Sequence, residues 1–136
     1  MVQANRNGSE AAAPVVLVVD DDVAVRDLVS HVLGQAGFRT VMAGDGDQVG
    51  ELVRRERPAL ILLDVILPGA DGYTALARLS GDPETQDIPV VTITGYGAPI
   101  YRTVSAGMGA RSHLSKPFSP RQLLATVRGI LEPSTT

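Results

Sequence analysis

The chain has 136 residues, 44% of them hydrophobic, a formal net charge of −3 and no cysteine. That length suits one domain around a single core, and the composition excludes a disordered chain. Disulfides and thiolate metal sites are excluded as well, and the mild acidity gives no basic footprint for nucleic acid.

The opening "MVQANRNGSEAAAP" carries one arginine and no long apolar stretch, so it does not read as a signal peptide. Its small and polar residues predict a flexible tail over 1–13, ahead of a domain over 14–132 and a short tail over 133–136. No apolar run approaches a membrane span, and a cytoplasmic location is the default expectation. Val15–Val19 is a continuous apolar run, as in a strand buried on both faces. Val25, Leu28, Val29, Val32 and Leu33 follow at helical spacing, with a stop at Gly37. "FRTVMA" is a weaker second strand, and Val49, Leu52 and Val53 mark a second helix that ends before Pro58. "ALILLD" is a third buried strand ending in Asp64; the turn "LPGADG" leads into a helix carrying Leu76 and Leu79. After the polar loop "GDPETQDIP" come a fourth strand, "VVTIT", and a short helix broken by glycines within "APIYRTVSAGMGA". "SHLS" is a short fifth strand. Ser119-Pro120-Arg121-Gln122 is a capping box with proline at the first helical position, and Leu123, Leu124, Val127, Ile130 and Leu131 continue the helix.

Five strand–helix pairs predict an α/β fold, a parallel sheet with helices on both faces. In such sheets, sites form at the carboxyl ends of the strands. Asp20, Asp21 and Asp22 follow the first strand, Asp64 ends the third, Thr94 ends the fourth and Lys116 follows the fifth. Like charges at a buried strand end repel, by about 4 kcal/mol at 4 Å near a protein surface, and something must offset that cost. Carboxylates without histidine or cysteine nearby suit a hard divalent cation such as Mg²⁺. An acidic helix start accounts for one or two of the three aspartates but not for Asp64. A carboxylate beside a cation can act as a nucleophile and form an aspartyl-phosphate, with a hydroxyl from Thr94 and an ammonium from Lys116 for the phosphoryl oxygens.

These pieces, "LVVDDD", "LILLDVILPGADGY", "DIPVVTIT" and "SHLSKPFSP", resemble the response-regulator receiver domains of two-component and phosphorelay signalling, the CheY-like family, in order and near-usual spacing. The resemblance spans about residues 14–132 and implies a flavodoxin-like fold, doubly wound, with five parallel strands in the order 2-1-3-4-5 and five helices. It implies Asp64 as phosphoacceptor; Mg²⁺ held by Asp20, Asp21, Asp64 and the backbone carbonyl of Ile66; Thr94 as the switch hydroxyl; and Lys116 on the phosphoryl group. Asp21 is the expected direct ligand and Asp20 acts through water. A cis Lys116–Pro117 bond is expected, since X–Pro is where cis costs little. The module implied is a signalling one rather than an enzyme. Its donor is a sensor histidine kinase or a histidine phosphotransfer protein, and its output is a protein partner docking on the face of the fourth helix, fifth strand and fifth helix.

Some positions depart from the family pattern. The switch aromatic falls at His113, for which packing, rotation with Thr94 and, least favoured, metal ligation are the readings weighed. Asp22 receives no metal role. Ile66 and Tyr96, two beyond Asp64 and Thr94, are bulky where the family controls water access, so a long-lived phosphorylated form is expected. "TGYGAP" predicts an easily moved loop. Arg111 and Ser112 stand where winged-helix regulators carry acids for dimer salt bridges, which favours a monomer or weak dimer. Only four residues follow Glu132, so a stand-alone receiver without direct nucleic-acid contact is expected. Three alternatives compete: a phosphate shuttle or sink, a degenerate module that only binds, and a phosphohydrolase of the haloacid-dehalogenase type. The last needs a second aspartate where Ile66 stands.

Overall fold

The computed structural model describes residues 13–66, 72–95 and 99–132, apart from the side chains of 99–101. The strands are β1 (Val15–Val19), β2 (Arg39–Ala43), β3 (Leu60–Asp64), β4 (Val90–Thr94) and β5 (Ser112–Ser115). The helices are α1 (Val23–Gln35), α2 (Val49–Glu56), α3 (Gly72–Gly81), α4 (Pro99–Gly107) and α5 (Pro120–Leu131), with a 3₁₀ turn, Gly46–Gln48, before α2. All strands pair in parallel, as the strand–helix alternation predicts, and in the order β2-β1-β3-β4-β5 that the resemblance implies. Residues 1–12 and 133–136 of the predicted tails, and Tyr96, Gly97 and Ala98 of the "TGYGAP" loop, lie outside the described residues.

Alternation along the strands divides the core into two layers. Val16, Val18, Leu60, Leu62, Val91, Ile93 and Leu114 pack against Val29 and Leu33 of α1 and Leu123 and Val127 of α5. Leu17, Val19, Ile61 and Leu63 face Val49, Leu52 and Val53 of α2 and Ala75, Leu76 and Leu79 of α3. Side chains fully buried on both faces explain why β1 and β3 read as unbroken apolar runs. Burying each of these leucines and valines contributes about 1.5–3 kcal/mol. A truncation such as Leu62→Ala, between α1, α5 and the sheet, costs about 2–5 kcal/mol.

Local signals fix the helix ends. Asp22 caps α1, accepting from the Ala24 N–H at 2.9 Å. α1 closes at Ala36, and Gly37 follows with φ +95, a conformation in which glycine carries no Cβ penalty. The capping box at Ser119 is complete: its Oγ accepts from Gln122 N–H at 3.0 Å, and Gln122 Oε1 accepts from Ser119 N–H at 2.8 Å. α2 ends at Arg57, whose φ of 49 turns the chain before Pro58.

Candidate functional site

The carboxyl ends of β1, β3 and β4 and the start of the segment after β5 meet at one edge of the sheet. Register brings them together: Val19 pairs with Leu63, Asp64 with Ile93 and Thr94 with Ser115, so each polar residue emerges at the same level. Asp20 is fully buried and Asp64 nearly so, while Asp21 is exposed. One carboxylate oxygen from each of Asp20, Asp21 and Asp64 lies within 4.8 Å of the other two. Lys116 bridges the buried pair, its Nζ lying 2.9 Å from Asp20 Oδ2 and 2.9 Å from Asp64 Oδ2. The second is an aligned hydrogen bond; the first is an ion-pair contact outside hydrogen-bond geometry, which leaves Asp20 Oδ2 buried without a hydrogen-bond donor.

The other oxygens are held by backbone donors. Asp20 Oδ1 accepts from Asp22 N–H at 2.9 Å, and Asp64 Oδ1 accepts from Ile66 N–H at 2.8 Å. Thr94 is buried at the end of β4, and its carbonyl accepts from Lys116 N–H at 2.7 Å, which ties the lysine backbone to the hydroxyl-bearing strand end. The Lys116–Pro117 peptide is cis, as expected.

Charge and burial shape the titration. Burial pushes the Asp64 pKa up and the Asp20 charge adds to it, while hydrogen bonds from Lys116 and Ile66 N–H pull against it; the net direction is upward. Burial alone would lower the Lys116 pKa, but its contacts with Asp20 and Asp64 outweigh burial and hold it above the ordinary lysine value. A hard cation fits this cluster. Its donors are carboxylate oxygens, one of them a buried oxygen with no hydrogen-bond donor, and a single ammonium faces three acids.

Of the sequence candidates, Asp20, Asp21, Asp64 and Lys116 are brought together, with Thr94 beside them. Asp22 stands apart as the α1 cap; its position just ahead of an amphipathic run is the signal for that role. Ile66, two residues beyond Asp64, is 46% exposed. His113 lies away from the acids: its Nδ1 is 2.8 Å from Thr92 Oγ1, and burial, then the Arg102 charge, lowers its pKa. It has no place in the cluster that could hold a metal. Gly72, at the start of α3, is a site residue that sequence reasoning missed. A Cβ there would fall onto the Asp64 carbonyl oxygen and the Val65 Cα, so only glycine lets α3 pass under the acceptor strand end.

The chain thus combines a five-stranded doubly wound parallel sheet with a lysine-bridged acidic cluster at the carboxyl edge of that sheet. The profile of the family described as "Response regulator receiver domain" matches residues 16–128, and the chain belongs to that family. It is 41% identical over 118 residues, 87% of its length, to the DNA-binding dual master transcriptional regulator RpaA of Synechocystis, of which it covers 49%. Among solved structures it is similar to a putative response regulator from Chloroflexus aurantiacus (33% identity, TM-score 0.84, covering 88% of this chain and 98% of that one). It is also similar to the chemotaxis protein CheY4 of Vibrio cholerae (29% identity, TM-score 0.82, covering 88% and 99%). The chain spans about half the length of the curated relatives it matches. Among the described residues no helix is long and apolar enough to cross a membrane.

Proposed function

We propose that this receiver domain accepts a phosphoryl group on Asp64 in a two-component phosphorelay and switches a protein-interaction face. The observation that carries the reading is the Lys116 ammonium held between the buried carboxylates of Asp20 and Asp64. The donor is the phosphohistidine of a sensor histidine kinase or a histidine phosphotransfer protein. In the transfer the P–N bond breaks, an Asp64 carboxylate oxygen forms the new P–O bond, and the imidazole leaves with the electron pair. Asp20, Asp21, Asp64 and the Ile66 carbonyl would hold Mg²⁺, which would supply charge neutralisation for the transferring group when bound. The chain's own groups do the rest. Ile66 N–H fixes the carboxylate plane, and Lys116 is placed to move from Asp64 Oδ2 to a phosphoryl oxygen. Thr94 supplies a hydroxyl to another oxygen, and movement of its strand end passes to α4, which packs on β4 and β5.

The new charge biases an equilibrium between two packings, and a partner reads whichever it binds better. The proposed reading surface is the face of α4, β5 and α5, and the proposed setting is the cytoplasm. Beryllofluoride tests the reading without a donor. With Mg²⁺ present it should bind the wild type and shift the amides of Asp64, Gly95 and Lys116, and it should leave Asp64→Asn unchanged; binding retained in Asp64→Asn would contradict the assignment.

A further inference from the structure

Beneath α4 lies a cavity of about 350 Å³, lined by Arg102, Ser105, Ala106, Ala110, Arg111, Ser112 and His113. Its position against β5 sets it apart from the acidic cluster. Among the described side chains of α4, only Ser105 is buried, so the helix offers a hydroxyl where α2 and α3 offer leucines. Ser105 Oγ is shut off from solvent and has no hydrogen-bond partner, a costly state for a hydroxyl. The lining contains two guanidinium groups and no carboxylate. Neither Arg102 nor Arg111 forms an ion pair among the described residues, although the chain as a whole carries a net charge of −3. His113 presents its ring to the same cavity while Thr92 holds its Nδ1.

We infer that this cavity is an oxyanion seat that receives a carboxylate side chain from an acidic segment of the partner protein. Guanidinium groups match carboxylate geometry and bind it with charge-assisted hydrogen bonds. The Ser112 hydroxyl adds a neutral donor, Ser105 Oγ joins it by turning about its Cα–Cβ bond toward the cavity as the carboxylate enters, and a volume of this size admits one side chain rather than a folded ligand. An acidic segment is the occupant that charge complementarity selects, because the rest of an acidic chain repels it and the two unpaired arginines focus it here. The inference rests on the proposed role of the α4–β5–α5 face and gives that face a partner chemistry.

The test uses the full chain, unphosphorylated and without Mg²⁺, at fixed ionic strength. The probes are an acetylated hexaglutamate peptide, its hexaglutamine counterpart and inorganic phosphate, followed by amide chemical shifts. Hexaglutamate should bind saturably and at least tenfold more tightly than hexaglutamine, with shifts centred on Arg102, Ser105, Arg111 and Ser112. Arg102→Ala with Arg111→Ala, both exposed positions, should weaken it at least tenfold, and Ser105→Ala about threefold, with the remaining spectrum unchanged. Equal binding of the two peptides, shifts centred on other arginines, or no loss in the double variant would overturn the inference. Phosphate saturating the site as tightly as the peptide would also overturn it, in favour of a free oxyanion site. Phosphorylation of the same preparation is followed separately by intact mass. Peptide failure with normal phosphorylation removes this inference alone, and peptide binding without phosphorylation removes the phosphoacceptor reading alone.

Discussion

Replacing Lys116 by methionine, nearly the same shape without the charge, isolates what the ammonium does for the acidic cluster. At 2.9 Å from both Asp20 and Asp64, the lysine attracts each by about 6 kcal/mol at an effective dielectric of 20. The two carboxylates, with oxygens within 4.8 Å, repel by at least about 3.5 kcal/mol on the same scale. Asp21 is exposed, so water screens its share. Without lysine the repulsion and the burial of two anions stand uncompensated, but the cost has a ceiling. Protonating one carboxylate at pH 7 relieves the pair for about 4 kcal/mol, the work of holding a group of ordinary pKa neutral three units above it. Lys116→Met without Mg²⁺ should therefore lose about 3 kcal/mol, as for other broken buried pairs. The sign with pH follows from the raised Asp64 pKa. The native state binds more protons than the unfolded chain between pH 3.8 and the higher folded value, so the contribution of Asp64 to stability falls as pH rises through that window. Losing Lys116 extends the window upward, and the deficit should shrink as pH is lowered from 7 toward 5. Urea unfolding at a series of pH values in EDTA measures it. A loss below about 1 kcal/mol at pH 7, or one that is the same at pH 5 and pH 7, would refute the electrostatic account.

Mg²⁺ at ten times its dissociation constant should stabilise the wild type by about 1.4 kcal/mol in thermal melts, and Asp21→Asn should reduce that gain sharply while leaving the apo protein nearly as stable. Gly72→Ala should destabilise by about 2 kcal/mol or more in urea, because its Cβ meets the Asp64–Val65 backbone rather than a movable side chain. Ser119→Ala should lose about 1 kcal/mol in urea unfolding through the capping box. Because the folded His113 pKa lies below its ordinary 6.5, the unfolded chain binds the extra proton first; stability should fall as pH drops below about 6.5, and His113→Phe should remove that part of the pH profile. The phosphorylated form should be long-lived, and Ile66→Asp, two residues beyond the acceptor and half exposed, should shorten its half-life in a decay followed by mass; a wild-type half-life of seconds would contradict this.

The central strands were legible because they are buried on both faces, so burial left a continuous apolar record in "VVLVV" and "LILLD". Their carboxyl ends then located Asp20, Asp64, Thr94 and Lys116 by a rule of topology alone. The capping box of α5 was equally plain, because its partners are local. Contacts made across the fold were not legible. Nothing in the run "DDD" itself shows that Asp20 is buried and Asp21 exposed; the difference arises because Asp20 N–H bonds to the Ala43 carbonyl of the neighbouring strand and its side chain turns toward Lys116. Gly72 reads as an ordinary turn residue until α3 is seen passing under Asp64. Ser105 resembles a solvent-facing helix residue, yet it lies on the sheet side of α4 beside His113.

Intact mass after incubation with phosphoramidate, with and without Mg²⁺, tests the phosphoacceptor claim most directly. A gain of one phosphoryl group that needs Mg²⁺, is absent from Asp64→Asn and maps to the peptide containing Asp64 is the predicted result. No gain in a folded chain that also fails to bind beryllofluoride, or a gain that persists in Asp64→Asn, would contradict it.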